Sequence, residues 1–121
     1  MTPELRDPLD LLPLTPAMFE VLVSLADADQ HGYAILKQIA ERTDGRIILS
    51  TGTLYGIVKR LLAEGLVVES RRRPPAAEDD ERRRYYRLTP FGRAVAIAEA
   101  NRLESMVRAA RAAGIPRIDE A

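Results

Sequence analysis

Residues 50–66 read Ser-Thr-Gly-Thr-Leu-Tyr-Gly-Ile-Val-Lys-Arg-Leu-Leu-Ala-Glu-Gly-Leu, and this stretch constrains the chain more than any other. Leu54, Ile57, Val58, Leu61 and Leu62 recur at spacings of three and four, which puts them on one face of a helix. Ser50 or Thr51 can cap its start, because a hydroxyl there accepts from a backbone N–H with no helical partner. Gly65 suits the left-handed stop that closes many helices. The opposite side carries Thr53, Gly56 and Arg60, with Tyr55 and Lys59 on its flank. A helix buried for structural reasons does not need a face that is small, hydrogen-bonding and positive. A helix that enters a DNA groove does.

The neighbouring segments supply the frame. Pro3, Pro8 and Pro13 break residues 1–13 into an extended arm. Leu9, Leu11, Leu12 and Leu14 make it sticky, to cover either its own core or a second subunit. Thr15-Pro16 opens a helix with Phe19, Leu22, Val23 and Ala26 inward, widened by Val21 and Leu25. Asp27–Gln30 is expected to be a polar turn. A second helix runs from about His31 to Thr43, with Tyr33, Leu36 and Ala40 on one side and Ile35 and Ile39 beside them. Ile47-Ile48-Leu49 is a short β-prone run before the central helix. Leu66–Arg71 and Arg84–Leu88 alternate as antiparallel strands, with Tyr86 and Leu88 inward and Tyr85 and Arg87 outward. Thr89-Pro90 repeats the earlier capping device and opens a last helix over about 90–113. Half of that helix would have nothing to pack against in a monomer. Phe91, Val95, Leu103, Met106, Val107 and Ala110 are therefore expected at a homodimer interface.

The chain has 121 residues, 46% hydrophobic and 30% charged, as in an ordinary soluble domain. It has no cysteine, so disulfides and thiolate metal sites are excluded. No apolar run nears the roughly 20 residues of a membrane span, and no secretory leader is read at Met1, so a cytoplasmic protein is expected. The net charge is zero, which looks wrong for a nucleic-acid binder until its distribution is read. Six bases and ten acids give residues 1–70 a net of −4. Seven arginines against four acids give residues 71–87 a net of +3. Positive charge is concentrated locally, and a phosphate backbone responds to local concentration.

Three short helices followed by a two-stranded hairpin form a mainly α (α+β) pattern, that of a winged helix-turn-helix over residues 14–89. A C-terminal dimerisation helix (90–113) and a tail (114–121) follow. The third helix would lie in a major groove about 12 Å wide. Ser50, Thr51, Gly52 and Thr53 would come nearest to base edges or hold a phosphate at the helix N-terminus. Tyr55, Lys59 and Arg60 are better placed for backbone. Arg72, Arg73, Arg82, Arg83 and Arg84 of the wing would reach phosphates or a flanking minor groove.

His31-Gly32-Tyr33, Gly52-Thr53-Leu54-Tyr55, Lys59-Arg60-Leu61, Glu64-Gly65-Leu66 and Arg83-Arg84-Tyr85-Tyr86-Arg87-Leu88-Thr89 together resemble the PadR family of bacterial transcriptional regulators, over about residues 14–112. The single C-terminal helix looks like that of its short subfamily. The resemblance implies a homodimeric winged-helix repressor on a near-palindromic double-stranded DNA operator, released by a small molecule or another signal. Some short members stack planar drugs on a tryptophan of the last helix. This chain has no tryptophan and carries Leu103 at that place.

Each of these readings has a plainer rival. His31 as a metal ligand lacks partners, and a helix-start role suits it better; no metal or cofactor is expected. Tyr33 suits core or support, while Tyr55 could serve either phosphate or packing. The arginines could be a solvated surface neutralised by Glu78–Glu81, which would favour a protein–protein interaction module without DNA. Asp79 and Asp80 are adjacent and poorly suited to paired acid–base work. With no glycine-rich phosphate loop, nucleophile–base pair or metal-ligand spacing, an enzyme is not expected.

Overall fold

Each helix begins where a side chain satisfies an N–H that the helix cannot. The structure is a computed structural model that describes residues 6–70 and 84–121. Helix α1 (Pro16–Asp27) is capped by Thr15, whose hydroxyl accepts from the Met18 N–H at 3.1 Å, with Pro16 in the first turn. Strand β1 (Gln30–His31) leads into α2 (Gly32–Arg42), capped by His31 Nδ1 accepting from the Ala34 N–H at 3.2 Å. Helix α3 (Thr51–Ala63) starts at Ser50, which accepts from the Thr53 N–H at 3.1 Å. Strands β2 (Val67–Ser70) and β3 (Tyr85–Leu88) follow. Helix α4 (Pro90–Ala112) starts at Thr89, whose hydroxyl accepts from the Gly92 N–H at 2.9 Å. Short 3-10 turns lie at Pro8–Leu11 and Ile118–Glu120.

Helix α3 ends as expected. Gly65 sits at φ +77°, and the Leu66 and Gly65 N–H groups return to the Leu61 and Leu62 carbonyls at 2.9 and 3.1 Å. This double return ends the helix and turns the chain directly into β2.

The sheet is antiparallel and three-stranded, in the order β1-β3-β2, so the expected hairpin has gained a strand. Val67 pairs with Leu88 and Ser70 with Tyr85, while Gln30 and His31 pair with Tyr86 and Tyr85 across the other edge of β3. The expected polar turn thus yields two residues to the sheet. The β-prone Ile47-Ile48-Leu49 forms no strand. Ile47 and Leu49 instead turn toward the core and leave Ile48 exposed.

Leu22, Ile35, Ile39, Leu54, Leu61, Leu66, Val67 and Val95 make one fully buried core. It differs from the expected faces by small rotations. In α1 the buried row is Met18, Val21, Leu22 and Leu25, with Ala26 exposed and Phe19 and Val23 only half-buried. In α2, Ile35 and Ile39 are central, whereas Tyr33 is exposed. In α3, Leu54, Val58 and Leu61 are buried, Ile57 half-buried and Leu62 exposed. Val95, expected at a subunit interface, is fully buried because the first half of α4 lies against α1 and β3. The second half of α4 leaves the core, and Leu103, Met106 and Val107 are exposed.

The arm packs on its own subunit. Arg6 pairs with Glu64 at 2.8 Å and lies over the Phe91 ring, 4.7 Å from its centroid. Glu99, fully buried on α4, accepts the Leu14 N–H at 2.8 Å and pairs with Arg102. That carboxylate joins the arm to the last helix and keeps the Leu14 amide hydrogen-bonded. The hydrogen bond from Arg102 holds the Glu99 carboxyl below its ordinary range, helped by the Leu14 N–H and opposed by burial.

A methyl group at Gly92 would overlap the Leu66 carbonyl, a backbone atom that cannot swing aside. Gly92→Ala should therefore cost at least about 2 kcal/mol, read as a fall in melting temperature. Because the folded-state pKa of Glu99 is depressed, its stabilisation is present above the unfolded value of about 4.3 and fades as pH falls through the folded one. Glu99→Gln should lose about 1–3 kcal/mol at pH 7 in urea unfolding, with the gap to wild type narrowing below about pH 4.

Candidate nucleic-acid interface

Burying Leu54, Val58 and Leu61 turns the opposite face of α3 outward, and each such side chain contributes about 1.5–3 kcal/mol. Thr51, Gly52, Thr53, Gly56, Lys59 and Arg60 are all exposed there. A methyl group added at Gly52 or Gly56 would meet no atom of the described residues within 4 Å, so no packing among them requires glycine at either place. An interior glycine costs about 1 kcal/mol relative to alanine, which the buried stripe readily offsets. What the two glycines leave is a low surface over which another molecule can approach the backbone. Ser50 donates to the Thr53 hydroxyl at 2.9 Å and fixes its position at the head of the helix.

Tyr55, Lys59 and Leu62 follow one another at spacings of four and three on the flank of α3 that looks toward β3. The Tyr55 hydroxyl lies against Gly32, where any side-chain carbon would stand 2.5 Å from it. The glycine of His31-Gly32-Tyr33 is thus what lets Tyr55 lie flat on the start of α2. Across from this flank stand Arg84 and Tyr86 of the wing, and with Val58 these residues enclose a cleft of about 440 Å³. Arg84 makes a loose exposed pair with Glu69 at 3.2 Å. Burial pushes the Tyr86 phenol up from its ordinary value, and Tyr55 and Glu69 push it the same way. The phenol therefore keeps its proton at neutral pH and can donate a hydrogen bond.

On the other edge of the sheet, Arg87 is held by Asp29 at 3.4 Å, and Asp29 also accepts from Ser70. His31 stacks near Tyr33, and its ring meets Tyr85 edge-on at 5.3 Å. Tyr33, expected in the core, stands exposed beside this pair, because α2 turns Ile35 and Ile39 inward instead. Its spacing from Leu36 and Ala40 concealed this. Arg72, Arg73, Arg82 and Arg83, expected to touch DNA, lie outside the described residues.

The residues expected at the dimer interface divide in two. Val95 belongs to the subunit core, and Phe91 is half-covered beneath Arg6. Leu103, Met106 and Val107 are exposed along the projecting half of α4, with Ala110 half-buried. Among the described residues, no cluster of three or more His, Asp or Glu side chains could hold a metal ion. Among them, too, no helix is long and apolar enough to cross a membrane.

The family model described as the transcriptional regulator PadR-like family matches residues 21–98, from α1 into α4. The chain belongs to the PadR family. It is accordingly a winged-helix transcription regulator and not an enzyme, and PadR regulators bind DNA. A transcriptional regulator from Clostridium thermocellum is similar at 26% identity and a TM-score of 0.66, covering 78% of this chain and 86% of its own. A PadR family regulator from Clostridium difficile shares the fold at 24% identity and a TM-score of 0.69, covering 80% and 96%. BpsR of Bordetella bronchiseptica, whose DNA binding is regulated by 6-hydroxynicotinic acid, is similar at 27% identity and a TM-score of 0.64, covering 92% and 76%. No curated protein matches by sequence.

The open surroundings of Gly56 give a direct test. Gly56→Ala should stabilise the free PadR-like chain by about 0.5–1 kcal/mol in chemical unfolding, because only helix propensity changes. A loss of stability would mean that the face is packed in solution.

Proposed function

We propose that this chain is a PadR-like repressor that binds a near-palindromic DNA operator as a homodimer in the cytoplasm and is released by a small-molecule effector. The observation that carries the reading is the exposed face of α3. Residues 50–53 present hydroxyls and an open backbone, while Lys59 and Arg60 add charge further along the same helix. A hydroxyl-bearing helix start suits base edges and phosphates, and the cations suit the backbone on either side. The wing arginines 72, 73 and 82–84 would extend this contact.

The projecting half of α4 supports the dimer. Leu103, Met106 and Val107 form an apolar strip that one subunit leaves in water, and a second copy would cover it. The regulated DNA binding of BpsR supports an effector, without naming this chain's ligand.

Affinity for duplex DNA should fall steeply with salt, and Lys59→Ala or Arg60→Ala should each reduce the slope of log affinity against log salt by about 0.9. Thr53→Ala should change preference among sequences rather than overall affinity. Fluorescence anisotropy on random and selected duplexes reads both. Absence of binding to random duplex at low salt would favour an interaction module instead. Sedimentation should give a dimer at micromolar concentration, and Met106→Glu with Val107→Glu should give a monomer.

A further inference from the structure

We propose that the cleft between α3 and β3 is a phosphate site of the DNA interface, with the Tyr86 hydroxyl as its innermost donor. The proposal rests on the DNA-binding reading above and names a contact absent from it. Tyr86 is 4% exposed, and its ring belongs to the core. Its hydroxyl, however, makes no hydrogen bond with any other described residue, while the side chain lines the cleft. A buried phenol without a protein partner costs about 1–3 kcal/mol unless something in the cleft accepts from it. A phenylalanine would fill the same space without that cost.

The surroundings select what that acceptor is. Lys59 has no acidic partner among the described residues, and it stands on the same wall of the cleft as Tyr55. Arg84 closes the opposite side. Its pair with Glu69 is exposed and loose, and such pairs are worth about 0–1 kcal/mol, so exchanging Glu69 for a stronger anion is easy. Two cations and a neutral O–H donor around one hollow match a tetrahedral oxyanion. Val58 and Leu62 give the hollow an apolar side, on which the sugar next to a backbone phosphate could rest. The cleft is continuous with the exposed face of α3 through Tyr55 and Lys59, so a duplex lying on that face passes its mouth. Arg84 would swing from Glu69 to the phosphate, and Tyr86 and Lys59 would complete its coordination.

Tyr86→Phe in the full chain tests this. The variant should melt at or above the wild-type temperature, because the hydroxyl has no partner among the described residues. It should bind every duplex on the order of tenfold more weakly. The salt slope should stay unchanged, because the lost group is neutral, in contrast to Lys59→Ala. Wild-type protein carrying ¹³Cζ-labelled tyrosine should show the Tyr86 resonance move on adding duplex, a readout independent of whether the variant folds. Equal duplex affinity of variant and wild type, or a Tyr86 resonance that duplex leaves in place, overturns the proposal. Inorganic phosphate at low millimolar concentration serves as the second arm. If it moves that resonance while duplex does not, the cleft serves a free anion and the assignment to DNA fails. If wild type binds duplex and only the Tyr86 prediction fails, the DNA-binding reading stands without this contact. If wild type binds no duplex, both are lost.

Discussion

Burial of Leu54, Val58 and Leu61 is the interaction on which the rest of the structure depends. These three side chains fix the rotation of α3 about its own axis. Once they are inside, Thr53, Gly56 and Arg60 must face outward, because residues one or two apart on a helix do not share a face. Their combined burial is several times larger than any cap or surface pair around them. The α3 face is therefore set by the core and not by its own polar residues. A protein built this way can vary the outward residues without losing the helix that carries them.

The remaining elements hold that helix in place relative to the wing. Gly65 turns the chain from α3 into β2, so the first wing strand starts four residues after the helix ends. Gly92 lets α4 press on the Leu66 carbonyl, and the Thr89 hydroxyl donates to the Gly65 carbonyl at 2.7 Å. The start of the last helix is thus tied to the end of α3. Glu99 then ties the arm to the same helix through Leu14. The short first strand binds α2 to β3 through His31, whose imidazole caps one element while its backbone pairs with the other. Each of these is a single contact between neighbours of α3, and together they leave the α3–β3 cleft with fixed walls.

The parts legible in the sequence were those decided within a few residues. Thr15, Ser50 and Thr89 act as helix caps because the hydroxyl and the N–H it serves are three residues apart. The His31 cap was equally local, as was the stop at Gly65. The alternation of Tyr85, Tyr86, Arg87 and Leu88 gave the inward side of β3 correctly. Legibility failed where a distant partner decided the outcome. Ile47-Ile48-Leu49 has the composition of a strand, but β3 took Gln30-His31 as its neighbour, which no local propensity signals. Tyr33 and Leu62 fit an apolar stripe by spacing and yet lie at its edge. Val95 and Met106 share one row of α4, but the core ends between them, and where it ends depends on how far α1 and β3 reach. The alternation of β3 places Tyr86 inward, and its ring is core; only the cleft shows that its hydroxyl has a separate environment.

Hydrogen–deuterium exchange, measured with and without a random-sequence duplex at low salt, tests the central claim most directly. The account predicts slowed exchange over α3 residues 51–60 and around Arg84–Arg87, with the amides of Leu103–Ala110 on α4 unchanged by DNA. Protection confined to the projecting half of α4, with α3 exchanging as in the free protein, would contradict it.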